Sequence, residues 1–248
     1  MKESYFIIVV SVLLFSCERA SDTDDIVFKF YGDESKNIGY SISKTENGFF
    51  ISGQYTELTR ENTPGGPIVL DSKEKMVVLR TDTEGNVVGT VQILGQALIS
   101  AGKKIITLDD GTAVSTGFVT DSITSETDIY VVKLDADGNM TSEQIFKSAG
   151  NQYGTDIIKT PEGFLVLGTT DVKREPVSSA TGNAEGKKDI LLLRLNNNLE
   201  SVSTIPAVGF IGNDEGVTIK PDINGGYIVV GTTDRSDRSS SDWVPRRS

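Results

Sequence analysis

Apolar residues in this chain come in short runs, each bounded by a polar turn. Phe49-Phe50-Ile51, Ala113-Val114, Phe164-Leu165-Val166-Leu167 and Tyr227-Ile228-Val229-Val230 each follow a glycine-bearing turn: Glu46-Asn47-Gly48, Asp109-Asp110-Gly111, Pro161-Glu162-Gly163 and Asn224-Gly225-Gly226. Asn-Gly and Asp-Gly favour hairpins, because Gly adopts positive φ freely and Asn or Asp tolerates it. A strand therefore precedes each turn, as in Tyr40–Lys44 and Thr155–Lys159, and another follows it. No run of helical period is evident beyond residue 17, so the expected fold class is all-β.

A third set of runs, Met76–Leu79, Ile129–Val132 and Ile190–Leu193, is apolar without alternation, which predicts burial on both faces. Turns at Thr83–Asn86, Asp135–Asn139 and Asn196–Asn198 lead towards fourth strands such as Val88–Ile93. The units recur. Gly39/Ile42/Gly48, Gly102/Ile105/Gly111, Gly154/Ile157/Gly163 and Gly216/Ile219/Gly225 share one spacing, and a third glycine follows at Gly53, Gly117, Gly168 and Gly231. Four antiparallel strands per period predict a β-propeller of about four blades. Its closure has two readings. Ile26–Tyr31 reads as a fourth strand lacking its first three, and joined to the unit from Gly216 it would complete a four-bladed ring. The third strand expected there, Asp242–Ser248, contains Pro245, which cannot donate to a ladder, so the chain reads equally as a truncated piece of a larger ring.

Charge and composition remove several chemistries. Lys plus Arg total 24 against 35 Asp plus Glu, a formal charge of −11 without a basic stripe, and nucleic acid is not an expected partner. The absence of His excludes His-based triads and imidazole metal ligands. No metal or cofactor is expected.

Residues 1–16 read as an export signal: Lys2, then an apolar stretch from Tyr5 to Phe15 too short to span a bilayer as a helix. Leu14-Phe15-Ser16-Cys17 resembles the bacterial lipoprotein box, with Phe15 bulkier than usual at its position. The resemblance implies cleavage before Cys17, acylation of that residue, and attachment to a lipid bilayer of the bacterial cell envelope. Several acyl chains on one residue anchor stably where one is marginal. Cys17 is the single Cys, so its lipidation leaves no thiol for disulfide or zinc. Residues 17–25 read as a flexible acidic tether and residues 26–248 as the folded domain. An acidic stretch after the lipid Cys accompanies surface display in some bacterial groups.

Gly212–Gly216, Asn224–Thr233 and Asp128–Asn139 look like the repeats of bacterial secreted and lipoprotein β-propellers, a resemblance running from about Ile26 to Asp242. The second unit departs most, with Gln96–Ser100 in place of the Gly-Asn-Asp entry. It implies a fold more than a function, since propellers host many activities.

Three features could carry a site. Asp135-Ala136-Asp137-Gly138-Asn139 alternates oxygen ligands as a calcium loop does, but the following residues lack the distal Glu spacing, which favours a plain turn. Thr169-Thr170-Asp171, Thr232-Thr233-Asp234 and Val119-Thr120-Asp121 offer hydroxyls and carboxylates for a sugar, although their recurrence favours strand termination. Propeller topology would gather Asp33, Glu34, Asn151, Gln152, Asn213, Asp214 and Glu215 on one face with the long loops Glu57–Glu74 and Val172–Lys188. The leading expectation is a non-enzymatic binding or scaffold module for an extracellular protein or glycan. A carboxylate-dependent glycan hydrolase and an inactive truncated paralogue are the alternatives.

Overall fold

The computed structural model describes residues 28–95, 99–171, 188–209 and 212–234. The signal 1–16, Cys17, the tether, most of the segment 172–188 and the expected strand 242–248 lie outside the described residues. Phe28–Phe30 has no regular structure, which corrects the reading of a fourth strand there. From Tyr31 the chain forms one compact unit.

All regular structure among the described residues is β-strand, and the strands group in fours. The first group is β1 (Asn37–Thr45), β2 (Gly48–Thr63), β3 (Gly66–Thr81) and β4 (Val87–Leu94). The second is β5 (Ile99–Thr107), β6 (Ala113–Thr120), β7 (Thr127–Leu134) and β8 (Met140–Phe146). The third is β9 (Gln152–Thr160), β10 (Gly163–Thr170), β11 (Asp189–Asn196) and β12 (Ser201–Val208). A final pair comprises β13 (Asp214–Pro221) and β14 (Tyr227–Thr233). Each strand pairs antiparallel with the next inside its group. One parallel bridge, Glu74 to Ile99, joins the first two groups into an eight-stranded sheet, and among the described residues no sheet closes on itself.

Turn chemistry sets the hairpins, with one surprise. Asp82–Asn86, Leu108–Thr112, Asp135–Asn139, Asn196–Glu200 and Asp222–Gly226 form the same loop, in which the first residue's N–H donates to the fifth residue's carbonyl. The fourth residue is left-handed, and it is Gly85, Gly111, Gly138 and Gly225 in four of them. In the other it is Leu199, at φ 65°, whose fully buried side chain belongs to the core. Burial of an aliphatic side chain, about 1.5–3 kcal/mol, offsets the roughly 1 kcal/mol backbone cost of that conformation.

A bulge follows the first glycine of every unit. Gly39 faces Gly53, Gly102 faces Gly117, Gly154 faces Gly168 and Gly216 faces Gly231, and one residue beyond each leaves the ladder. Bulges of this kind bend and twist a strand. The facing glycines permit close approach: a Cβ on Gly168 would lie 2.6 Å from the Tyr153 carbonyl oxygen. The first glycines meet the preceding sheet instead. A Cβ on Gly154 would stand 2.5 Å from Thr116 Oγ1, and one on Gly216 2.7 Å from Leu167 Cδ1, whereas Gly39 has nothing within 4 Å.

Beside those glycines each sheet packs its face on the one before it. The isoleucine three residues on fills the interface: Ile105, Ile157 and Ile219 are buried, at 1%, 0% and 0% exposure, while Ile42 is 60% exposed. Ile105 joins Phe50, Met76, Tyr130 and Val132; Ile157 joins Val114, Val131, Val166 and Leu193; Ile219 joins Leu165 and Leu167. Contacts run between successive first strands, β1 to β5, β5 to β9 and β9 to β13.

Hydrogen bonds cross the same interfaces. Ile105 N–H donates to Ser41 Oγ (3.2 Å) and Thr107 N–H to Ser43 Oγ (2.9 Å). Ile219 N–H and Thr218 Oγ1 donate to Asp156 Oδ2 at 2.9 and 2.7 Å. Between those interfaces the position corresponding to Ser41 is Lys104, which cannot accept, and Ile157 N–H turns to its own neighbour, Asp156 Oδ1, at 2.9 Å. Asp156 thus satisfies two sheets with one buried carboxylate.

Gly154→Ala should cost about 1–3 kcal/mol by overpacking, while Gly39→Ala should stay within about 0.5 kcal/mol of wild type. Urea unfolding of both variants checks the difference, and equal losses would contradict sheet-on-sheet contact at Gly154.

Candidate functional site

The residues expected on one face do lie at one end of their sheets. Asp33 and Glu34 precede β1, Asn151 and Gln152 open β9, and Asn213, Asp214 and Glu215 open β13. Gln152 stands opposite Thr170 and Asp214 opposite Thr233, the last residues of β10 and β14, while Asn37 stands opposite Tyr55, beyond which β2 runs on.

Most of these side chains are engaged within the fold. Asn151 N–H and Nδ2 donate to the two oxygens of Asp171, Asp171 N–H donates to the Asn151 carbonyl, and Asn151 Oδ1 accepts Thr127 N–H of the preceding sheet. Asn213 repeats the arrangement with Asp234 and with Lys188 N–H. One amide therefore ties its own hairpin shut and pins the third strand of its neighbour. The acceptors are the aspartates of the Thr-Thr-Asp elements, so these terminate strands, and Asp121 likewise accepts Ile123 and Thr124 N–H.

Gln152 Nε2 donates to Ser148 Oγ, and Glu215 pairs with Lys188 at 2.6 Å. Asp214 is buried, as is Asp189, and a Cβ on Gly209 would strike both carboxylates. Neither aspartate lacks a partner. Neither carboxylate lines the cleft between the second and third groups.

Asp33 gathers donors at the start of β1. Ser35 Oγ and N–H, Asn37 Nδ2 and Tyr55 OH all reach its carboxylate, which holds it far below the ordinary carboxylate range. Beside it Glu34 meets Arg60 at 3.0 Å. The calcium-like sequence behaves as a turn: Asp135 accepts N–H from Asp137 and Asn139 and the Asn139 side-chain amide, which lowers its pKa. Among the described residues no three Asp, Glu, His or Cys side chains converge as metal ligands.

Two features escaped the sequence reading. Glu57–Glu74, expected as a long loop, is strand: β2 and β3 run on together with Arg60 opposite Val69 and Thr63 opposite Gly66. Past Tyr55 and Lys75 the outer edges of this ribbon pair with no strand among the described residues apart from the Glu74 bridge, and it exposes Ile68 (47%) and Val69 (56%). The consecutive apolar run Ile68, Val69, Leu70 was the available signal, obscured by Pro64, Gly65 and Pro67. The second is a cleft of about 490 Å³ between the second and third groups, lined by Phe146, Lys147, Gln152, Thr170, Leu191 and Thr204 among others. It arises where two separate sheets face each other, which no local pattern encodes.

No family model matches the chain, and no curated protein matches it.

Asp33 is ionised in the fold at pH values where it would be protonated when unfolded. Its contribution is present above the ordinary carboxylate pKa and is lost as pH falls through its lowered value. Asp33→Asn should therefore narrow its stability difference from wild type between about pH 5 and pH 2, read by thermal melts across that range; a constant difference would contradict the assignment. Asn151→Ala should cost about 2–3 kcal/mol through several lost hydrogen bonds, and a neutral result in urea unfolding would show that the clasp carries no stability.

Proposed function

We propose that the chain is a lipid-anchored, non-enzymatic binding module of the bacterial cell envelope, built as β-propeller blades and engaging an extracellular partner through the end of the sheets that carries the ribbon. The propeller reading is supported by first strands that pack in succession while the outer strands of the second and third groups flank an open cleft, as blades fanning from an axis would. The anchor reading rests on the sequence around Cys17.

The observation that carries the binding role is the ribbon beyond Tyr55 and Lys75. Two strands leave a packed sheet together, expose Ile68 and Val69, and present backbone N–H and C=O groups along edges that no strand among the described residues pairs. Such an edge recruits an extended segment by strand addition, with main-chain bonds giving affinity and neighbouring side chains giving selectivity. Arg60, held by Glu34 at the ribbon's base, adds a cation in an otherwise acidic chain. A protein segment in extended conformation fits these groups better than a glycan does, because it can complete the ladder.

A screen of the purified chain from Glu18 against envelope proteins and glycans tests this reading. Replacing residues 58–72 with a two-residue turn should abolish binding while leaving the melting temperature within a few degrees. Binding that survives the exchange would sink it. Cys17→Ser should move the full-length protein from the membrane fraction to the soluble fraction, and retention in the membrane would overturn the anchor.

A further inference from the structure

Among the described residues the stack of sheets has two outer faces, and both are apolar. On the first sheet Ile42, Ile51 and Leu79 align across β1, β2 and β3, with Val77 and Ile93 beside them. Ile42 is 60% exposed and Ile93 52%. On the last pair Ile228 and Val230 lie on the face opposite Val229, which packs into the core with Ile219, and they are 56% and 55% exposed.

These are the positions that make every internal interface. Counting back from the third glycine of each unit, Ile228 and Val230 correspond to Leu165 and Leu167, to Val114 and Thr116, and to Phe50 and Ser52. Those six are at most 1% exposed, because the following sheet covers them. Ile42 corresponds to Ile105, Ile157 and Ile219, each covered by the preceding sheet. Gly39 shows the same contrast, with open space where Gly102, Gly154 and Gly216 touch a neighbour. Among the described residues the first sheet thus presents a receiving face with no sheet on it, and the last pair a donating face that meets no further sheet.

We propose that a second copy of this chain docks the last pair of one molecule, through Ile228 and Val230, onto the first sheet of the next, around Ile42 and Gly39, in the manner of the internal sheet-to-sheet contacts. The second copy is the fitting occupant because the two faces already meet, by equivalent positions, at the three interfaces inside one chain. Exposed apolar patches of this kind mark association surfaces. The contact is heterologous: each addition leaves one receiving and one donating face, so growth continues until a ring closes. This inference is independent of the ribbon and of any ligand.

The test is sedimentation velocity on the full chain in mild detergent across about a hundredfold concentration range. Wild type should form dimers and larger species as concentration rises. Ile42→Lys and Val230→Lys should each weaken self-association at least about tenfold, with melting temperatures unchanged because both side chains are already in solvent. Mixing the two variants should restore a capped dimer and nothing larger, since one supplies an intact donating face and the other an intact receiving face. Ile42→Thr and Val230→Thr give the same comparison should lysine perturb a sheet. A wild type that stays monomeric throughout, a variant that associates like wild type, or a mixture that fails to pair would each overturn the proposal.

Discussion

Close approach between consecutive sheets is the constraint on which the rest depends. A side chain on Gly102, Gly154 or Gly216 would hold the first strand off the sheet before it, and the isoleucine three residues along would lose its cavity. The bulge that follows each glycine bends the strand, and the facing glycine on the second strand lets that bend sit tightly on its own hairpin. Burying each isoleucine contributes about 1.5–3 kcal/mol. Three such interfaces therefore account for much of the reason the sheets stack instead of lying side by side.

Polar groups follow the same logic. Stacking buries first-strand N–H groups that face another sheet, and a buried donor without an acceptor costs about 1–3 kcal/mol. Ser41 and Ser43 supply acceptors at the first interface, and Asp156 supplies them at the last. At the middle one Lys104 cannot, and the two oxygens of Asp156 divide the work. The Asn151 and Asn213 clasps do at the sheet ends what these residues do in the interior. Residues that read as a binding face from topology are thus largely occupied in joining sheets, whereas among the described residues the ribbon takes part in that joining only through the Glu74 bridge.

The sequence made the strand groups legible because short apolar runs and glycine turns are local signals. Phe164–Leu167 and Ile190–Leu193 fall in strands as their patterns require. It was misleading at Glu57–Glu74, where Pro and Gly near the tip outweighed a short apolar run, and at Phe28–Phe30, where an apolar pattern takes no regular structure. The bulges were not legible, since one unpaired residue leaves no mark on periodicity. Leu199 could not be foreseen as a left-handed residue, because tertiary burial decides it. Of the candidate site, the shared end of the sheets was readable and the internal bonding of Asn151 and Asn213 was not, for those bonds join residues 20 or more positions apart, whereas Asp33 bonds mainly to its neighbours Ser35 and Asn37.

The central claim is that buried acceptors and glycine contacts lock successive sheets face to face. Native-state hydrogen exchange at the Ile219 amide tests it most directly, because that N–H donates across an interface into Asp156. In the wild-type protein it should exchange slowly, at a rate close to that of the Val166 and Leu167 amides in the interior strand β10, and in Asp156→Ala it should exchange far faster while those amides hold. Fast exchange at Ile219 in the wild type, or no change in the variant, would contradict the account.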